Sequence, residues 1–422
     1  MKFQKCKGFR DLSPAEMVAF RLIEDTFRVC CLKWGYQEVR TPTVEYLHLF
    51  TSIGTLTPGM LGKVYSFLDW DGWSGERVVL RPDGTIPIAR FFIDSMENSE
   101  LAKLFYVTNI FIFDEAGTKT RERWQCGAEL IGWGSPLTII EAVLIPLEVL
   151  KKLKLENVEL RLSHAGLIRA LLEDLGLSPE EQTMLFDQIL DGNIEALAGL
   201  KTSSPELKEV LPSLVNLKGE SSGFLKNLKP VFAQSLPEIK SHLDDFIKIA
   251  DLLEALDCKY KIDIASGAGF EYYTGVIFHF FAGGEKVGGG GRYDALIPSM
   301  NGKDIPASGF ALYLDRLMKL VKPEVLTKPV LNKVLVKIKS EKTNALRQAF
   351  DIANYLREAG YVAEFEAGEQ EIAGLRWILE VQSDAPLFTL WDKAKTKRLE
   401  AQTIEDVLTF LEAESADKDS PA

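Results

Sequence analysis

No run of about 18 apolar residues occurs in the chain, so nothing in it is suited to cross a bilayer as a helix. The opening residues, MKFQKCKGFRDLSP, lack the apolar stretch of a secretory signal. Paired cysteines are missing too. Cys6, Cys30, Cys31, Cys126 and Cys258 are odd in number, and none sits in a C-x-x-C pair or at zinc-ligand spacing from a histidine. A reduced, cytoplasmic chain with no metal, no cofactor and no membrane partner is the expectation. Positive charge is short: 49 Lys and Arg face 61 Asp and Glu, a net of −12. Nucleic-acid binding is usually driven by phosphate neutralisation, so tRNA or another polyanion is disfavoured as the main partner. What remains is ample for two or three packed domains: 422 residues, 46% of them hydrophobic.

The most informative stretch is 105–132, FYVTNIFIFDEAGTKTRERWQCGAELIG. An apolar run, a polar Gly-containing turn and a second half-apolar run predict a hairpin of two strands. Gln125 and Glu129, four apart in the second strand, point to one face. An amide and a carboxylate on one wall can hold an ammonium and a polar ring, although the same residues also suit a partly exposed strand.

Around this hairpin the local signals are clear. Ser13-Pro14-Ala15-Glu16 has the form of a capping box, and Phe20, Ile23, Phe27 and Cys30 recur at helical spacing, predicting a helix that ends near Trp34-Gly35. Residues 35–46 read as a strand broken at Pro42, and 78–80 as a strand running into the turn Arg81-Pro82-Asp83-Gly84-Thr85 and a helix over 86–95. Further helices are expected at 135–153 and 164–175, with a strand at 158–162 between them and His164 as a helix-start or core histidine. Residues 178–255 read as a helical insertion. Gly288, Gly289, Gly290 and Gly291 either make a flexible turn or let the backbone approach a ligand. A helix is expected over 312–320, then a linker at 327–329. An alternating β-α-β-α-β pattern follows, with strands at 334–338, 361–365 and 377–381. The segment 331–422 carries 12 Lys and Arg against 17 Asp and Glu, and its basic cluster 393–398 reads as a solvated turn. Residues 413–422 read as a disordered tail.

Taken in order, these motifs resemble the class II aminoacyl-tRNA synthetases and, within them, the histidyl-tRNA synthetase family. The carriers are the 35–46 segment, Arg81 to Thr85, the hairpin with Phe111, Gln125 and Glu129, Tyr272-Tyr273-Thr274-Gly275, Gly291-Arg292-Tyr293-Asp294, and Arg316. The resemblance implies an α+β fold with a six-stranded antiparallel sheet flanked by helices over 1–326, including the insertion at 178–255. It also implies a degenerate anticodon-binding-like α/β domain over 331–412. A homodimer through the 35–46 region and a pocket for L-histidine formed by Asp83, Thr85, Gln125, Glu129, Tyr272, Tyr273 and Tyr293 are likewise implied. Asp83 stands where the family has glutamate.

Two family arginines that serve amino-acid activation are replaced, by Ile112 and Ala268, leaving a vestigial nucleotide site of Asp114, Arg121 and Arg316. Activation needs cations on the phosphates as pyrophosphate leaves, so this pattern implies a chain with no catalytic residues. It is similar to the non-catalytic branch of the family, the regulatory subunits of ATP phosphoribosyltransferase. That branch implies a short-form catalytic subunit as partner, a place in the first step of L-histidine biosynthesis, and a histidine signal. An active histidyl-tRNA synthetase is the alternative.

Overall fold

Ser13 opens the first helix, α1 (Pro14–Lys33), through a complete capping box: the Ser13 amide donates to Glu16 Oε2 at 2.8 Å and the Glu16 amide donates to Ser13 Oγ at 3.3 Å. Phe20, Ile23, Phe27 and Cys30 are all buried along one stripe. Gly35, with φ +82°, turns the chain out of the helix. This is a computed structural model of the chain. It describes residues 4–52, 56, 61–69, 75–96, 99–113, 120–173, 177–178, 181–182, 185, 218–233, 239–264, 272–322, 325, 332–340, 342–366 and 375–416. Two units are present, Met1–Leu326 and Thr327–Ala422.

The first unit's strands are β1 (Gln37–Glu38), β2 (Val44–Tyr46), β3 (Ser66–Leu68), β4 (Arg77–Leu80), β5 (Ala102–Phe111), β6 (Glu122–Ile131), β7 (Glu159–His164), β8 (Lys218–Gly219), β9 (Lys261–Asp263), β10 (Val276–Ala282), β11 (Glu285–Arg292) and β12 (Ala307–Tyr313). Nine of them form one sheet in the order β1-β5-β6-β12-β11-β10-β7-β9-β8. The six long central strands are antiparallel throughout. The expectation of six strands is therefore corrected only at the margins: β1 joins β5 and β9 joins β7 in parallel, and β8 closes the edge. These three are two or three residues long, too short to leave a periodic signal. The strand expected over 35–46 with a break at Pro42 is two strands in different sheets, since β2 pairs with β4 in a separate three-stranded sheet. Proline lacks the amide that would continue the ladder, and Pro42 separates them.

Alternation along β5 divides the unit's core. Phe105 and Val107 join α1 and α3 (Pro136–Lys152) on one face, while Leu104 and Tyr106 pack on the other with Ile86, Phe92, Tyr272 and Tyr293. Helix α2 (Thr85–Ser95) lies on that second face. Behind β7 come α4 (Ala165–Glu173), α5 (Ser222–Ala233) and α6 (Ile239–Ala255). Where it is described, the insertion is mostly helical, at 181–182, 185, 222–233 and 239–255, with β8 among them, and much of it lies outside the described residues.

The glycine run is not a flexible turn but part of β11, enclosed on both sides, and Gly289 brings its backbone to the wall of the candidate cavity. A Cβ on Gly288 would stand 2.7 Å from the Ala311 carbonyl, and one on Gly290 would stand 2.1 Å from that of Gly309. Likewise, residues 312–313 end β12, and the helix expected from 312 begins as α7 (Leu314–Leu320).

In the second unit, β13 (Lys333–Ile338), α8 (Thr343–Glu358), β14 (Val362–Phe365) and β15 (Leu375–Val381) follow the expected alternation, and the helix expected between β14 and β15 falls outside the described residues. The structure adds β16 (Phe388–Asp392), β17 (Arg398–Ala401) and α9 (Ile404–Ala416), completing the sheet β14-β13-β15-β16-β17. The basic cluster occupies the β16–β17 hairpin, where Asp392 accepts the Thr396 and Lys397 amides at 2.6 and 2.8 Å. Residues 413–416 are helical, not tail, because α9 packs Val407 and Leu411 into this unit's core; 417–422 are outside the description.

Candidate functional site

The site forms where β4 ends against the hairpin. Arg81 anchors the junction with a buried guanidinium. Its Nε and Nη2 donate to the backbone and side-chain oxygens of Asn109 at 2.8 and 3.0 Å, and Nη1 donates to the Thr41 and Pro42 carbonyls at 2.9 and 3.0 Å. Strand β5 and the 41–42 segment are thereby fixed on either side of the chain that leads into Asp83. The Asp83 carboxylate accepts the Ile86 amide at 2.8 Å, capping α2 and sending the helix N-terminus toward the carboxylate.

Glu129 lies at the centre, 1% exposed. Thr85 Oγ1 and Tyr106 Oη donate to its Oε1 at 2.9 and 3.1 Å, and Tyr293 Oη donates to its Oε2. Three hydroxyls converge on one carboxylate, and among the described residues no Lys or Arg is ion-paired with it. Burial therefore dominates and pushes the Glu129 carboxyl up to about 8, with the nearby Asp83 charge adding to the rise. Asp83, also buried, rises to about 6 for the same chief reason, moderated by the α2 amides. Burial also holds Tyr272, Tyr273 and Tyr293 far above the usual phenol range, so all three remain O–H donors.

Small residues make this packing possible. Gly309 lies opposite Glu129 in the β6–β12 register, and a Cβ there would stand 1.8 Å from Glu129 Oε2. Gly84 and Gly127 flank Tyr106, whose ring would meet an added Cβ at 2.4 and 2.3 Å.

Of the seven residues expected in the pocket, Asp83, Thr85, Gln125, Tyr272, Tyr273 and Tyr293 line one cavity, and Glu129 is joined to it through Thr85 and Tyr293. The cavity is small, ≈ 40 Å³, room for roughly three ordered waters. The Gln125 Oε1 atom is buried with no hydrogen-bond partner. An unpaired buried amide oxygen is costly, and this one can accept an N–H presented in the cavity. Sequence reasoning missed His279, Lys286, Tyr313 and Gly309, which line the same cavity, and Tyr106 behind Glu129. One signal was present: His279 interrupts the otherwise apolar strand β10.

Of the residues expected in the nucleotide site, Arg121 and Arg316 are described. Arg121 donates to Tyr65 Oη at 3.1 Å and stacks 4.6 Å from the Phe113 ring centroid. Arg316 donates to the Lys286 carbonyl and lies 5.2 Å from the Tyr313 ring centroid. Burial depresses the pKa of Arg123, which the sequence did not single out, and the nearby Arg316 charge lowers it further. Ile112 is bridged to Val64 and supplies no charge. Asp114 and Ala268 lie outside the described residues. His164 is a core histidine at the start of α4, as expected. Its Nδ1 accepts the Leu167 amide at 3.1 Å, its Nε2 faces Asp245 at 3.4 Å, and burial lowers its pKa.

Residues 8–317 match the family profile described as histidyl-tRNA synthetase. An ATP phosphoribosyltransferase regulatory subunit of Dehalococcoides mccartyi is 50% identical over 97% of this chain and 98% of its own length. The histidine–tRNA ligase of Methanocaldococcus jannaschii is 31% identical over 86% of each chain. Among solved structures, an ATP phosphoribosyltransferase regulatory subunit/histidyl-tRNA synthetase from Bacillus halodurans superposes with a TM-score of 0.75 at 24% identity, covering 91% of this chain and all of the other. The histidyl-tRNA synthetase of a Nostoc species gives 0.71 at 19% identity, covering 98% of this chain and all of its own, a likeness of fold alone. From the profile and the extent of these matches, the chain belongs to the histidyl-tRNA synthetase-like family, in the branch of the ATP phosphoribosyltransferase regulatory subunits.

Proposed function

We propose that the chain is the regulatory subunit of ATP phosphoribosyltransferase, inactive by itself and required by a short-form catalytic subunit for the first step of L-histidine biosynthesis. The observation that carries this reading is the 50% identity over nearly the whole of both chains to a protein of that name. The site supports it. Loss of a transition-state donor costs about 3 to 4 kcal/mol, and Ile112 occupies a position where the synthetases have a guanidinium. Asp83, Thr85, Gln125, Glu129 and the tyrosines keep the polar wall of an amino-acid pocket, which we assign to L-histidine. Its occupancy reaches the catalytic subunit as a coupling free energy between sites.

Homodimerisation through the 35–46 region belongs to the same proposal. It is supported by exposed apolar side chains on α1 (Val29, Leu32), on β2 (Val44, Tyr46) and on β3 (Phe67, Leu68). A net charge of −12 supports a role without tRNA.

Mixing the chain with a short-form catalytic subunit and assaying phosphoribosyl-ATP formation, with and without histidine, tests the proposal. Activity should require the chain and fall with histidine; activity unaffected by the chain refutes the reading. The 31% identity to a histidine–tRNA ligase favours a second reading, active charging, which histidine-dependent exchange of labelled pyrophosphate into ATP would reveal.

A further inference from the structure

The pocket runs along the strands, and its two ends differ in charge. At one end Glu129 lies in register with Gly309, and Gly309 with Gly291. At the other, four residues and about 13 Å along β6, Gln125 lies in register with Tyr313. Asp83, Thr85 and Tyr293 gather at the Glu129 end. The Gln125 end is closed by Tyr313 and, from β11, by Lys286, the one Lys or Arg among the described residues that line the cavity.

Lys286 reaches this face because of an irregularity in the ladder. Gly289 pairs with His279 and Gly288 with Phe280, but the next partner of Phe281 is Lys286, leaving Val287 unpaired. Strict alternation would place Lys286 on the opposite face from Gly289. The bulge at Val287 adds one residue and returns Lys286 to the side of Gly289 and His279. Its backbone is held there by Arg316, which donates to the Lys286 carbonyl. Gly289 leaves room beside it, because a Cβ there would stand 2.5 Å from the His279 ring. The buried, unpartnered Oε1 of Gln125 can accept a ligand N–H in the same space.

We infer that Lys286, aimed by the bulge, forms an anion subsite for the carboxylate of a zwitterionic ligand whose cationic and N–H groups meet Asp83, Glu129 and Gln125. This rests on the amino-acid pocket proposed above and names the residue that recognises the ligand's acid group. A lysine offers a point charge with rotatable donors, suited to a carboxylate that arrives with the ligand.

Titration calorimetry on the full chain tests it, with L-histidine and with histamine, which keeps the imidazole and the ammonium but lacks the carboxylate. The wild-type chain should bind L-histidine at least tenfold more tightly than histamine. Lys286→Gln should abolish that preference by weakening L-histidine binding without weakening that of histamine, in a chain that still melts cooperatively, and Lys286→Arg, which retains the charge, should keep most of it. A preference that survives in Lys286→Gln, or is lost in a folded Lys286→Arg, overturns the assignment. Inorganic phosphate or ATP that competes with histidine and is weakened by Lys286→Gln would make the anion a phosphate and overturn the carboxylate. If the wild type binds neither histidine nor histamine, the amino-acid pocket itself fails, a result distinct from an unchanged preference.

Discussion

Replacing Glu129 with glutamine removes a buried carboxyl whose ionisation is opposed by its burial. In the folded chain the Glu129 carboxyl titrates at about 8, against 4.5 when unperturbed. Between those values the folded chain holds a proton that the unfolded chain has released, so stability falls as pH rises through the window. At ~1.4 kcal/mol per pH unit, the loss amounts to ~5 kcal/mol above pH 8. Glutamine carries no such penalty, but it offers one acceptor oxygen to the hydroxyls of Thr85, Tyr106 and Tyr293, at a cost of ~2 kcal/mol. Glu129→Gln should therefore be somewhat less stable than wild type at pH 5 and ~3 kcal/mol more stable at pH 8.5. Urea denaturation followed through the Met1–Leu326 unit at a series of pH values measures the crossing. L-Histidine at a hundred times its Kd should add ~2.7 kcal/mol to wild type by mass action and nothing to the variant. Parallel stability–pH profiles for the two proteins would refute the buried-charge argument.

Gly309→Ala places a methyl 1.8 Å from Glu129 Oε2 and 2.6 Å from the Ala128 carbonyl, so it should cost ~3 kcal/mol in denaturant titrations and abolish histidine binding in calorimetry. Arg81→Met leaves the carbonyls of Thr41, Pro42 and Asn109 without their donor; we expect a loss of at least ~3 kcal/mol, and a loss under 1 kcal/mol would show that Arg81 does not anchor the junction. Trp377, fully buried in the Thr327–Ala422 unit, should cost ~3 to 5 kcal/mol on substitution by alanine, and calorimetric scanning should show the effect in that unit's transition.

Much of this architecture was legible because its causes are local. The Ser13 cap, the α1 stripe and the antiparallel hairpin each follow from neighbours within a few residues, and each is where the sequence placed it. The same holds for β13, α8, β14 and β15. Elements of two or three residues, such as β1, β8 and β9, are made by partners on other strands and leave no periodic trace. The glycines at 288–291 look like a turn until Ala311, Gly309 and Phe278 are brought against them. The candidate site divides in the same way: its carboxylates and tyrosines stand in recognisable motifs, whereas His279, Lys286 and Tyr313 do not.

From the sequence alone came the residue types present and absent: carboxylates, an amide and tyrosines in family motifs, with Ile112 and Ala268 where the resemblance implies arginines. Those are properties of composition and order, which the chain carries before it folds. Only the tertiary structure decided that Glu129 is sealed among the hydroxyls of Thr85, Tyr106 and Tyr293, the last 164 residues away, and that Lys286 turns toward the same space. Desolvation and strand register are set by residues distant in the chain, and a carboxylate's pKa or a lysine's direction follows from them rather than from its neighbours in sequence.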